Sequence, residues 1–231
     1  MAIACMQNSA TPACRLRWLA LICGAGQFLV INLAYLLAAQ AGHVPWCVPY
    51  WDGCTSISAT GRHMPEAVLF KAAMLPLAAC VAIYWQGMGR FLAEPALATE
   101  SAAKWMRGLG ISAAGLLAGY TLLLGAGGDS LRTLRHILVV LSFTLTYLAQ
   151  LLITQSVWTR AAAGRSVAPS WVRHGLLGLS IGTLLIGVGS VLLELFYAGY
   201  DAIEDAVEWN LAALLDLYFV LTFLLSFPGR Q

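Results

Sequence analysis

Six long stretches of this chain are almost free of charge, and each is long enough to cross a lipid bilayer. They cover 18–39, 67–85, 108–126, 137–158, 176–198 and 209–227. A helix of about 20 apolar residues spans a hydrocarbon core ~30 Å thick. Within lipid every backbone N–H and C=O must be satisfied inside its own segment, so these runs are expected to be helices. Barrel strands would alternate polar and apolar residues, and these runs do not. The expected fold is all-α: one polytopic transmembrane domain over residues 1–231. Composition agrees, with 60% apolar and only 10% charged residues, against roughly a quarter charged in globular domains. A net charge of +2 says little about nucleic acid, but no basic run could track a phosphate backbone, so no nucleic-acid partner is expected.

The first run follows Arg15 and Arg17 and ends on Ala39-Gln40-Ala41, which has the small-x-small look of a signal-peptide cleavage site. It is about twice as long as the usual apolar core of a signal peptide, so a retained anchor is expected. Basic residues then set the orientation. With the N-terminus inside, nine fall on the cytoplasmic side: Arg15, Arg17, Arg90, Lys104, Arg107, Arg160, Arg165, Arg173 and Arg230. Only Arg62, Arg132 and Arg135 fall opposite. Both termini are therefore expected in the cytoplasm, with residues 1–14 as a flexible tail and loop 40–66 exoplasmic. There is no internal repeat of the kind many transporters carry.

Ionisable residues inside membrane spans are costly and are candidates for function. Lys71, Glu194 and Asp216, with the polar Asn32, all fall in the outer half of their spans. One reading is an outward-opening polar cavity in which Glu194 or Asp216 neutralises Lys71. The other is an ion pair that only fastens helices. Asp201, Glu204, Asp205 and Glu208 form an acidic stripe at helical spacing. Arg132, Arg135 and His136 lie on the same side of the membrane, so pairing with that stripe and a merely solvated face both fit. Cys47 and Cys54 in the outer loop are a candidate disulfide. No CxxC or helical histidine pair points to a metal, and no cofactor motif is present. Gly115 with Gly119, and Gly178 with Gly182, have the small-xxx-small spacing of closely packed membrane helices.

The segment from Val48 to Phe70, VPYWDGCTSISATGRHMPEAVLF, resembles the Frag/DRAM/Sfk family, six-helix membrane proteins that include damage-regulated autophagy modulators and a Golgi factor for remodelling GPI-anchor lipids. The resemblance rests on Pro49-Tyr50, on Ile57, Ser58, Thr60 and Gly61, on Pro65-Glu66, and on Phe70. Glu208-Trp209 at the mouth of the sixth run is similar to the family's Glu-Trp, and His136 is similar to a histidine many members carry at the head of the fourth. Two departures stand out: Ala59 replaces the family's acidic residue, and residues 51–55 are inserted. The resemblance implies lipid-linked work. The absence of any Asn-x-Ser/Thr acceptor points to a bacterial relative in the inner membrane.

The leading expectation is a protein that binds membrane lipid through an outer-leaflet polar pocket. Its ligand residues would be Ser56, Ser58, Arg62, His63, Glu66, Lys71, His136, Glu194, Glu208 and Asp216. Arg62 and Lys71 would attract a phosphate head group. Glu66, beside the start of the second run, equally suits that helix's dipole without any ligand. An intramembrane lipid hydrolase or acyltransferase would instead use Ser58 or His136 with Glu208. A small-solute or proton-coupled transporter would use Lys71, Glu194 and Asp216, with Gln27, Gln150 and Gln155 toward the inner face.

Overall fold

A computed structural model describes residues 12–93 and 100–225, which are helical with no strand. The long helices are α1 (Pro12–Gln40), α4 (Glu66–Leu92), α5 (Glu100–Leu123), α6 (Asp129–Ala162), α7 (Ser170–Phe196) and α8 (Glu204–Thr222). Two one-turn helices, α2 (Pro49–Asp52) and α3 (Ile57–Thr60), lie in the first loop, and a 3-10 turn (Tyr200–Ala202) precedes α8. Five of the helices, α1 and α4 to α7, are long and apolar enough to cross a membrane, as in a multi-pass membrane protein. The eighth falls outside that set because its first half carries Glu204, Asp205 and Glu208 and its second half Asp216. Of the expected tail 1–14, residues 12–14 already belong to α1, and 1–11 lie outside the described residues, as does the end of the sixth run from 226.

The helices run past the apolar stretches that predicted them. The apolar stretch 137–158 lies within a 34-residue helix, α6, about 51 Å long at 1.5 Å per residue. That is some 20 Å more than the hydrocarbon core, so the polar first turns of α6 stand clear of it. Gly128, at φ 102°, turns the chain into α6, where Asp129 in the first turn suits the helix dipole.

Packing joins the six long helices into a closed ring in the order α1, α4, α5, α6, α7, α8, with α8 returning to α1. The α6–α7 seam is the sparsest. At the end holding the start of α1, the core gathers Leu16, Cys23, Tyr84, Trp85, Met88, Ile153, Tyr218 and Phe219. At the other end, Ile31, Tyr35, Phe70, Met74, Leu117 and Trp209 pack beneath the first loop. Between α6, α7 and α8 the first of these ends is laced by polar bonds. The Thr154 hydroxyl is 2.7 Å from that of Tyr218 and 3.2 Å from that of Ser180, and Gln150 donates to the Leu215 carbonyl at 3.0 Å.

The glycine pairs do not make the close contacts their spacing implied. A Cβ on Gly115, Gly178 or Gly182 would meet open space, and one on Gly119 only an ordinary contact with Leu138. The tight approaches are at single glycines: Gly24 faces the main-chain carbonyl of Asp216, and Gly110 faces the Trp85 indole. Spacing identifies a small-residue face, but not which helix, if any, lies against it.

Candidate functional site

The first loop is folded down over one end of the ring and pinned from below. The Tyr35 hydroxyl on α1 accepts from the Cys47 amide (2.8 Å) and donates to the Cys47 carbonyl (2.7 Å). Cys47 and Cys54 are joined as a disulfide with Cα atoms 6.6 Å apart, bracketing α2. Pro49 starts α2, and Gly53, at φ 59°, ends it where Ala202 and Ala206 leave no room for a side chain. Ser56 caps α3 by accepting from the Ala59 amide at 3.2 Å. From α8, Trp209 donates its indole N–H to the Thr55 carbonyl (2.8 Å), Asn210 donates to the Tyr50 carbonyl (2.7 Å), and Glu208 accepts from the Ile57 amide (3.3 Å). The two sequence segments that carry the family resemblance, about 150 residues apart, therefore touch.

Beside this pinned loop lies a cavity of about 500 Å³ between α3, α5, α6, α7 and α8. It collects six of the residues named from sequence: Ser56, Ser58, Arg62, His136, Glu194 and Glu208. Arg132, Arg135, Tyr120, Ser190, Tyr200, Glu204 and Asp205 complete its polar lining. The cavity runs into an apolar groove of about 350 Å³ formed by α6, α7 and α8, whose walls include Tyr147, Leu184, Val188, Leu192 and Leu215. Phe143, Thr144, Gly187, Val191 and Leu211 line both spaces. The groove exists because the α6–α7 seam is laced at one end by Thr154 and Ser180 and parts toward the other.

Four of the expected ligand residues lie elsewhere. Glu66 is fully buried at the start of α4, where one carboxylate oxygen is hydrogen-bonded to His43 Nδ1 at 2.6 Å. His63 packs its ring against His43, with centroids 4.8 Å apart. Lys71 is half-buried on α4, lines neither space, and has no hydrogen bond or ion pair among the described residues. Asp216 lines a separate pocket of about 50 Å³, shared with Gln27, Ser142, Thr146 and Glu208. The expected neutralisation of Lys71 by Glu194 or Asp216 is therefore absent among the described residues: Glu194 lines the chamber, Asp216 lies about two turns further along α8 than Glu208, and Lys71 reaches neither. Asn32 likewise bonds Tyr50 (2.8 Å) rather than joining Asp216.

The residues that a hydrolase would use share the cavity without assembling. Ser58 shares a hydrogen bond with Ser56 (3.0 Å) and accepts one from Arg62 (2.9 Å). No hydrogen bond links Ser58, His136 and Glu208 to one another among the described residues. A nucleophile and its base need that bond.

The cavity's charges are unevenly accounted for. Arg135 is buried and donates to the carbonyls of Leu123 (3.3 Å) and Ala126, closing the C-terminal end of α5. Arg132 and His136 are exposed near the start of α6, with no side-chain bond among the described residues, and Arg132 lies in the first turn, where a cation is disfavoured. On the other side, burial raises the Glu208 carboxyl to about 7. Asp205 and Glu204 add to that rise, while the Ile57 amide and Arg62 oppose it. Burial and Glu204 also raise Asp205. Glu208 thus exchanges its proton near neutral pH.

Sequence reasoning did not place Tyr120, or His43 as the partner of the buried Glu66, and neither follows a spacing rule. Arg132 and Arg135 did carry a signal, the one-turn spacing with His136 at a helix start. Comparison with protein-family models, curated proteins and solved structures gives no match in any of the three.

Proposed function

We propose that this chain binds a membrane lipid, with the head group in the charged cavity and an acyl chain in the groove between α6 and α7. The carrying observation is the adjacency of the two spaces: a chamber of about 500 Å³ with charged residues in its lining shares Gly187, Val191 and three further lining residues with an apolar groove. That polarity gradient fits an amphiphile and suits neither a soluble metabolite nor a hydrocarbon alone. All six long helices span the membrane in this reading, α8 included, since it completes the ring between α7 and α1. Both termini face the cytoplasm and loop 40–66 the outside, as the basic-residue bias requires. The site then sits at the depth of the outer head groups. A distant Frag/DRAM/Sfk relationship, in a bacterial inner membrane, accords with this. Its support is the contact of Glu208 and Trp209 with Ile57 and Thr55, which gives both resembling segments one structural task.

Native mass spectrometry of the purified protein tests the reading. Gly187 lines both spaces and its Cβ direction is open, so Gly187→Leu fills the throat without a main-chain clash. The wild-type protein is expected to retain lipid that Gly187→Leu loses, while Lys71→Met, outside both spaces, retains it. Equal retention by wild type and Gly187→Leu refutes the site. A reporter placed near Pro65 that reads as cytosolic refutes the orientation.

A further inference from the structure

The geometry points to a zwitterionic phospholipid head group as the cavity's ligand, its phosphate held by Arg62, Arg132 and Tyr120 and its ammonium by Glu194, Glu204 and Asp205. This rests on the lipid-binding reading and adds the class of lipid.

The basic and acidic groups come from different elements. Arg62 follows α3, and Arg132, Arg135 and His136 occupy the first two turns of α6. Glu194 lies in the last turn of α7, and Glu204, Asp205 and Glu208 in the first two turns of α8. Three arginines thus face four carboxylates across one chamber. Yet no ion pair joins these arginines to these carboxylates among the described residues. Arg135 and Glu208 have main-chain partners and Arg62 donates to Ser58, but Arg132, Glu194, Glu204 and Asp205 have no side-chain bond among the described residues, and water or a ligand bearing both signs would satisfy them.

The balance of signs decides among ligands. A purely anionic head group would meet the carboxylates, and a simple cation would meet the arginines. Each mismatch brings like charges together at a cost that a ligand with adjacent opposite charges avoids. Helix dipoles explain Glu204 and Asp205 at the start of α8 but make Arg132 in the first turn of α6 unfavourable. The basic side therefore needs a partner that its own helix does not give.

Tyr120 is an independent observation. Its side chain is 3% exposed, it lines the chamber, and its hydroxyl has no hydrogen-bond partner. An orphaned buried hydroxyl is costly, so a ligand oxygen at that position would stabilise the site. A phosphate or ester oxygen supplies the acceptor.

The test is competition on the purified full chain in mild detergent, read by native mass spectrometry. Equimolar phosphatidylethanolamine and phosphatidylglycerol of matched acyl chains are offered together. Phosphatidylethanolamine is expected to be favoured by about five- to tenfold. Changing Glu194→Gln with Glu204→Gln should bring that ratio toward one, while Arg62→Gln with Arg132→Gln should weaken both lipids. Tyr120→Phe, which alters no charge, should weaken both and serves where the double variants fail to fold. Equal binding of the two lipids, or preference for phosphatidylglycerol, overturns the zwitterion assignment and leaves the lipid site standing. Retention of neither lipid overturns both. Glycerophosphoethanolamine separates the sources: displacement of lipid at equal concentration would make the soluble head group the ligand and overturn the role of the membrane lipid.

Discussion

Glu208 offers a quantitative check on the chamber, because its position sets a pH dependence of folding. Its carboxyl is raised from 4.5 to about 7, first by burial and then by Asp205. At about 1.4 kcal/mol per pH unit the full displacement is worth roughly 3 kcal/mol. Because the group borders an open cavity, solvent screening reduces this to about 1–2 kcal/mol. The sign follows from which form the fold prefers. A carboxyl raised on folding favours the protonated state, so its contribution is complete below pH 4.5 and is lost as pH climbs through 7. Glu208→Gln keeps an oxygen to accept the Ile57 amide but cannot ionise. The variant should match the wild type near pH 4.5 and exceed it at pH 8, by about 3–6 °C in a chain of this size. Thermal unfolding in detergent at a fixed scan rate, from pH 4.5 to 8, measures the difference, and groups common to both proteins cancel. Parallel profiles would refute the burial argument. A variant less stable at pH 8 would mean that ionised Glu208 is a net asset to the fold, held by Arg62.

Three further expectations concern packing and anchoring. Gly24→Ala and Gly110→Ala each push a methyl into the Asp216 carbonyl or the Trp85 ring and should cost about 1–3 kcal/mol, whereas Gly178→Ala should be near neutral; thermal unfolding of the three variants separates them. His43→Ala strands the buried Glu66 carboxylate, one oxygen of which is already unpartnered, and should lower stability by about 1–3 kcal/mol in the same assay. Cys47→Ser removes the bridge around α2, should cost about 2 kcal/mol, and should hasten proteolysis of the first loop in limited digests.

Much of the fold was legible because lipid leaves a chain so few options. Length and apolarity alone located the long helices, and basic residues gave an expected orientation. The contacts within the ring were not legible in the same way. Lys71, Glu194 and Asp216 were expected at one level because each falls in the outer half of its apolar run, yet Glu194 lines the chamber and Asp216 a pocket further along α8. Which face of each helix turns inward cannot be counted when nearly every residue is apolar, so the expected ion pair failed. The same ambiguity hid the tight glycines: Gly24 and Gly110 make the close approaches, while a Cβ on Gly115, Gly178 or Gly182 would meet open space. Glu208 and Trp209 were singled out through a resemblance to a motif, and in the fold one holds Ile57 and the other Thr55.

The position of the chamber follows from the unequal ways the two ends of the ring are closed. Where Thr154, Ser180, Tyr218 and Gln150 bond across α6, α7 and α8, the helices have polar reasons to stay together. Each such bond between membrane helices is a modest incentive of about 0.6 kcal/mol, and several together favour a closed seam. Toward the other end the facing residues are Phe143, Leu184, Val188, Val191 and Leu211, which gain nothing from one another that a lipid tail would not supply equally well. Helices held at one end and indifferent at the other part as a wedge. The apolar groove is that wedge, and the charged chamber is its wide end, where α6 has risen above the hydrocarbon and carries Arg132 and His136 with it. A chain that meant only to span the membrane would close this seam with one more bond, so strengthening it offers a direct trial: Val188→Ser or Val191→Ser opposite Thr144 should draw α7 toward α6, raise thermal stability and reduce retained lipid together. Stability rising while lipid is kept would separate the seam from the site and defeat the wedge as its origin.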